Sequence, residues 1–324
     1  PDWGKKNYER YFGRGVEAYI WFGHYFPQLR YLDQIYSGSK LQDLTEKSDM
    51  DHEWQVFMEG YLTSPNVYDD IYLLPAMRKH YEKALVSKDF DKKDDARLVH
   101  HITIEYLRGK ELLAETNKDG QPSLFWKLLH EIDAPEKRKR WITVAGYFWS
   151  ISPRTLRDDI KSKDEDEKPL KGEIVQRIKN FWGWAYDKQM QDGSVEKILV
   201  DDYPHFLGAL ADLTIYLDCI DDKTEKWLLL SAPYCELQHM SSFFIEYLVA
   251  LLDDEESVKR MSKIFLKILE GSTPTFRTED IHSIVEALYE HPELKDDADK
   301  ICNTYGERGQ HFLKELYFKN QKTV

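Results

Sequence analysis

The sequence predicts an all-α protein, an array of short helices stacked as a HEAT/TPR-like α-solenoid of antiparallel helix pairs. Apolar residues recur on a 3.6-residue period along most of the 324-residue chain. Helix breakers are scarce, since 16 Gly and 12 Pro make up roughly 9% of the residues where ~12% is usual. Connections between the periodic stretches are short, as antiparallel neighbours require. The pattern gives about fifteen helices and no strand.

Gly15 to Tyr36 reads as an aromatic helical stretch bent at Pro27, whose ring removes a backbone hydrogen bond. Trp54 to Leu62 and Asn66 to Leu85 form a pair split by Ser64-Pro65, and Asp94 to Ala114 reads as one long helix. Ser123 to Ile132 and Pro135 to Ile151 are joined by Asp133-Ala134, with Pro135 suited to a first helical position. Pro153 opens a short helix to Lys161. The run SKDEDEKP, residues 162–169, is charged and ends in proline, the pattern of an acidic solvated loop or hinge. It separates an N-terminal helical part, 1–161, from a C-terminal helical-repeat part, 170–324, unless the two continue as one solenoid.

Beyond it follow Gly172 to Met190, Pro204 to Leu217, Thr224 to Ser231, Ser241 to Leu252, Glu255 to Leu269 and three helices between Thr278 and Tyr317. In the first of these three, Ile281, Ile284, Val285, Leu288 and Tyr289 fall at i, i+3, i+4, i+7 and i+8, one apolar stripe. Thr278, followed by Glu279 and Asp280, is expected to cap it. A helix this short cannot bury its stripe alone and must stack on neighbours.

Charge narrows the function. A formal charge of −13 opposes phosphate binding, so nucleic acid is not an expected partner. The densest basic run, Lys137, Arg138, Lys139 and Arg140, reads as a solvated helix face. Cys219, Cys235 and Cys302 are far apart and set in apolar helical context, as small buried hydrophobes in a reducing cytoplasm would be. No apolar run approaches the ~18 residues of a membrane span. The chain begins at Pro1 rather than Met, which is expected of a piece of a longer protein.

Searches for chemistry return little. Phosphate-loop, dinucleotide, nucleophile-elbow and H-E-x-x-H patterns are all absent from the sequence. His101 and Glu105 stand at i and i+4 with His100 adjacent, but a catalytic metal needs about three ligands, so a hydrogen-bonded histidine is the better reading. Asp201-Asp202 and Asp221-Asp222-Lys223 suit helix starts. Gly306-Glu307-Arg308-Gly309 lacks the lysine and preceding strand of a phosphate loop, and Gly306 is expected to end a helix. Trp141, Tyr147, Phe148 and Trp149, and Phe181, Trp182, Trp184 and Tyr186, are expected in the core, any exposed member being a partner anchor. No catalytic, cofactor-binding or metal residue is therefore assigned.

Several segments together carry a resemblance: Trp54-x-x-Phe57-x-x-Gly60-Tyr61-Leu62-x-x-Pro65-x-x-Tyr68, then His80-Tyr81, then Tyr106-Leu107-Arg108-Gly109, then Ala298-Asp299-x-Ile301-x4-Gly306-Glu307-Arg308-Gly309. Over residues 50–317 the chain resembles the C-terminal helical-repeat (sensor) regions of bacterial antiviral STAND (NACHT-like) NTPases and of sirtuin-like defence proteins. The resemblance implies a sensor that binds a phage protein, such as a packaging or portal protein, with an NTPase or effector and oligomerisation supplied by a longer parent. Two other classes stay open: an all-helical metal-dependent or other hydrolase using His100, His101 and Glu105 or the acidic pairs, and a passive scaffold or oligomerisation array.

Overall fold

The computed structural model describes residues 15, 17–46, 51–64, 66–151, 171–238 and 241–321. Every regular element among them is helical, and a single isolated bridge, Thr116 to Pro122, is the sole β pairing. The expected helix from Pro153, the 162–169 hinge and Pro65 lie outside the described residues. The chain divides into two compact units, Pro1–Tyr147 with Leu156–Arg177, and Phe148–Thr155 with Ile178–Val324.

The first unit begins with α1 (Glu17–His24), α2 (Phe26–Leu32) and α3 (Gln34–Glu46). The expected bend at Pro27 is instead a break one residue before α2, at Tyr25 (φ −97°, ψ 11°). Pro27 then occupies the first turn of α2, where its missing N–H loses nothing. Helix α3 runs on past Tyr36, where the expected aromatic stretch ends, through Ser37-Gly38-Ser39, residue types that disfavour helix. Burial of Leu41 and Leu44 overrides that propensity, and Asp33 Oδ1 accepts the Tyr36 N–H at 2.9 Å.

Helix α4 (Asp51–Leu62) buries Trp54, Phe57, Met58, Gly60, Tyr61 and Leu62. It crosses α1 with backbone nearly on backbone, at Gly23 and Gly60. The expected helix from Asn66 to Leu85 is two helices, α5 (Asp69–Tyr72) and α6 (Pro75–Val86). Pro75 is the cause: it drives Leu74 out of the helical region to ψ 132°. Helix α7 (Lys92–Leu107) starts earlier and stops sooner than expected, capped by Asp91, whose carboxylate accepts the N–H groups of Lys93 and Asp94 at 2.8 Å.

Helix α7 ends in a Schellman motif, with Gly109 at φ 79° and bonds from Gly109 N to Tyr106 O and from Lys110 N to Glu105 O. The irregular segment after it is organised by one buried side chain. Glu111 accepts from Tyr72 Oη (3.0 Å), Arg78 Nη1 (2.6 Å), Asn117 Nδ2 (3.0 Å) and the Leu124 N–H (2.7 Å). Ser123, where the expected helix opens, is the cap of α8 (Leu124–His130), its hydroxyl accepting the Trp126 N–H. A 3-10 turn over Pro135–Lys137 precedes α9 (Arg140–Ser150), and α10 (Lys171–Asp192) follows the undescribed segment.

In the second unit, α10 contributes the buried Phe181, Trp182 and Ala185. Next come α11 (Ser194–Leu199), α12 (Tyr203–Ala211), α13 (Asp222–Ser231), α14 (Ser241–Val249) and α15 (Glu255–Gly271). Two stretches of 3-10 helix, Asp212–Tyr216 and Ala232–Gln238, continue α12 and α13. Asp221 forms a reciprocal capping box with Thr224 at the start of α13, and Asp254 caps α15.

The terminal trio is present as α16 (Thr278–Tyr289), α17 (Lys295–Glu307) and α18 (Lys314–Gln321). Ile281, Ile284, Val285 and Leu288 are fully buried, as the periodicity requires. Each such side chain contributes roughly 1.5–3 kcal/mol on burial, an upper figure. Thr278, however, does not cap: it is the first helical residue, and Arg277 holds the cap position in the left-handed region without a side-chain bond. Nor does Gly306 end α17, because the left-handed residue is Gly309 (φ 79°). Gly309 N bonds Gly306 O and Gln310 N bonds Tyr305 O, repeating the ending of α7.

Candidate functional site

The residues with the strongest chemical promise in sequence are the most thoroughly committed to the interior. His101 and Glu105 share one buried face of α7. The His101 ring accepts at Nδ1 from the Tyr81 hydroxyl (2.9 Å) and donates from Nε2 to the Ser64 carbonyl (2.8 Å), the tautomer that satisfies both partners. Burial lowers its pKa to about 4, so the ring is neutral at pH 7. Glu105 is fully buried and accepts from Arg108 Nη1 at 2.6 Å. Burial pushes its carboxyl up to about 8, against the pull of that guanidinium. His100 is half-buried, its ring 4.8 Å from that of Tyr147. Among the described residues no group of three or more His, Cys, Asp or Glu side chains is arranged to hold a metal.

The motifs that carried the resemblance are structural in the same way. Trp54, Phe57, Gly60, Tyr61 and Leu62 fill the contact of α4 with its neighbours. His80 bonds Thr45 Oγ1 and Leu41 O, and burial holds its pKa near 4. Arg108 ties the end of α7 to Val67 O and Asp69, and Arg308 ties the end of α17 to Leu269 O.

Other expectations need correcting. Lys137 and Arg140, read as part of a solvated face, are 3% and 1% exposed and converge on Asp95 of α7. Their i, i+3 spacing places both on the inner side, while Lys139 is exposed. Cys235 and Cys302 are buried as expected, but Cys219 is exposed, in the connection leading to Asp221. Burial raises the Cys302 thiol to about 11. Of the acidic pairs, Asp221 is a helix cap and Asp222 pairs with Arg260 at 2.6 Å. Asp201 and Asp202 form a 3-10 turn ahead of α12. The two aromatic clusters are core: Trp141, Tyr147, Phe148, Phe181 and Trp182 are 4% exposed or less, and Trp149, Trp184 and Tyr186 are half-buried.

The exposed anchors lie elsewhere, on the outer side of α1 to α3. Trp21 (53% exposed), Tyr25 (45%), Tyr31 (88%), Leu32 (77%) and Ile35 (88%) form a succession of large apolar side chains in water. Trp21 stacks on Tyr25 at 5.9 Å, which stiffens that part of the surface. Beside it opens a cleft of about 390 Å³, walled by Pro27, Arg30, Tyr31, Leu32, Tyr68 and Asp70. Nothing in the sequence separates these residues from core aromatics, because their spacing is the helical one.

Arg30 is the unusual member. Its Nε is buried with no hydrogen-bond partner, and no carboxylate pairs with its guanidinium among the described residues. Leaving a buried donor unsatisfied costs about 1–3 kcal/mol. The buried Nε atoms of Arg108 and Arg260 also make no hydrogen bond, but the outer nitrogens of these two, like the guanidinium groups of Arg78, Arg97, Arg140, Arg177 and Arg277, hold carboxylates. Comparison with known protein families, curated proteins and solved structures finds no match for the chain.

Proposed function

We propose that this chain is a non-catalytic protein-recognition module, the sensor portion of a bacterial antiphage defence protein acting in the cytoplasm. The observation that carries the reading is the exposed apolar succession Trp21, Tyr25, Tyr31, Leu32 and Ile35 beside an open cleft. Exposed apolar patches of this kind mark interaction sites, and aromatic residues dominate binding energy at protein interfaces.

A solenoid arrangement fits the packing within each unit. Elements touch neighbours a few places along the chain, as α3 touches α6, α4 touches α7 and α15 touches α17. Contacts of that kind are what stacked helix pairs make. No helix among the described residues is long and apolar enough to cross a membrane. The antiphage assignment and the choice of a packaging or portal protein as ligand rest on the sequence resemblance. The hydrolase alternative gains nothing from His101, whose two ring nitrogens are both occupied by protein groups.

Immobilised chain should retain one member of a panel of purified phage proteins that includes portal and packaging proteins. The double substitution Y31A/I35S should abolish retention without unfolding the chain. If no phage protein is held, or if the variant holds it equally well, the reading is wrong.

A further inference from the structure

Taking the recognition reading as its ground, we propose that the Arg30 cleft receives a carboxylate of the protein partner, with an adjoining apolar residue seated on Tyr31 and Leu32. Three observations converge on this chemistry. Arg30 lines the cleft and its guanidinium makes no hydrogen bond or ion pair among the described residues; the buried Nε is unpartnered, which leaves the outer nitrogens to meet an incoming acceptor. The carboxylate three residues on and the one on the cleft wall both leave the guanidinium unpaired: Asp33 Oδ1 accepts the Tyr36 N–H, and Asp70 makes no ion pair among the described residues. Pro27, Tyr31, Leu32 and Ile71 give the wall apolar stretches beside the polar Gln28 and Gln34, so a bound carboxylate would be partly shielded from water.

A guanidinium presents a planar fork that matches a carboxylate in two parallel hydrogen bonds. Phosphate is the less suitable anion. Its second charge would lie near Asp70 in a protein that already carries −13. The cleft therefore sets a local rule within a generally acidic surface: a partner that is basic overall still offers one acidic side chain, or a chain terminus, at this point. Such an arrangement gives register, because only one docking of the partner brings its carboxylate onto Arg30.

The test uses the full chain labelled with 15N-arginine and observes the Arg30 Nε–H resonance, assigned by its loss in Arg30→Lys. Four peptides are titrated: Ac-Leu-Glu-Leu-NH2, Ac-Leu-Gln-Leu-NH2, Ac-Leu-Gln-Leu-OH and Ac-Leu-pSer-Leu-NH2. The inference expects saturable shifts with the glutamate amide or the free acid, at least tenfold tighter than with the glutamine amide. Binding should fall by a similar factor in Arg30→Gln and stay unchanged in Arg138→Gln. Equal shifts from the glutamine amide, tighter binding of the phosphoserine peptide, or no shift with any peptide would each overturn it. Retention of a phage protein that Y31A/I35S abolishes but Arg30→Gln leaves intact would sink the carboxylate inference while leaving the recognition reading standing.

Discussion

Gly23 and Gly60 lie at the crossing of α1 and α4 and make it possible from both sides. A methyl group built on Gly23 would strike the Phe57 carbonyl oxygen, and one on Gly60 would strike that of Ile20. The obstacles are backbone atoms, which cannot rotate away, so either substitution must push the helices apart. Gly23→Ala and Gly60→Ala should each destabilise the chain by about 2–3 kcal/mol or more in denaturant unfolding, as overpacking does. The double variant should cost less than the sum, since one displacement relieves both clashes. Gly38→Ala in α3 is the control. No atom lies within 4 Å of its added methyl, and it should gain roughly 0.5–1 kcal/mol from lower chain entropy. If all three substitutions behave alike, the crossing is not as close as described.

The segment between α7 and α8 should depend on Glu111. Its carboxylate accepts four hydrogen bonds in a fully buried position. Glu111→Gln turns one acceptor oxygen into a donor facing other donors and leaves Arg78 without its counter-charge. A loss of about 3–5 kcal/mol follows from breaking a buried ion pair at one end. Limited proteolysis should then cut first within residues 112–121, while the parent resists there. Unchanged cleavage kinetics would refute the role.

Asp212 gives the second unit a pH dependence of definite sign. It is 5% exposed, its Oδ1 has no partner, and burial alone raises its carboxyl from 3.8 to about 8. Between those limits the folded chain keeps a proton that the unfolded chain releases, so this group's contribution to stability falls as pH rises. Asp212→Asn removes the titration. Measured by urea unfolding, the variant should gain on the parent between pH 4.5 and 7.5 by an amount on the order of 2–4 kcal/mol. Parallel stability profiles would show that the carboxyl titrates normally.

The outer face of α1 to α3 should prove irrelevant to folding. Tyr31 and Ile35 are each 88% exposed, and substitutions at such positions usually fall within about ±0.5 kcal/mol. Tyr31→Ala and Ile35→Ser should therefore leave thermal unfolding unchanged while weakening partner capture. Substantial destabilisation by either would mean that the surface is covered within the chain itself.

What could be read in the sequence follows from which forces act locally. The stripe Ile281, Ile284, Val285 and Leu288, the helix start at Ser123 and the chain's helical class are all set by residues within a turn or two of one another. Pro75 was equally legible, yet the hydrophobic period running through it hid the break it makes at Leu74. Helix α3 was not legible, because its breakers are local and the burial of Leu41 and Leu44 that overrides them is not. The candidate surface was hidden for a related reason. Trp21, Tyr25 and Tyr31 have the spacing of core residues, and only the folded chain shows them exposed at 53%, 45% and 88%. Arg30 is identified by the partner it lacks, a property that no local pattern encodes.

Arg140 has a consequence for the order in which the first unit is completed. One guanidinium bonds Asp95 near the start of α7, Leu85 O near the end of α6 and Glu131 O just beyond α8. Until it arrives, Asp95 has only Lys137 as a counter-ion and two helix ends face inward with bare carbonyls. A ribosome delivers residues in sequence, so α6, α7 and α8 emerge before the side chain that joins them. The contacts that join these three helices through Arg140 can therefore form only after residue 140 has left the ribosome.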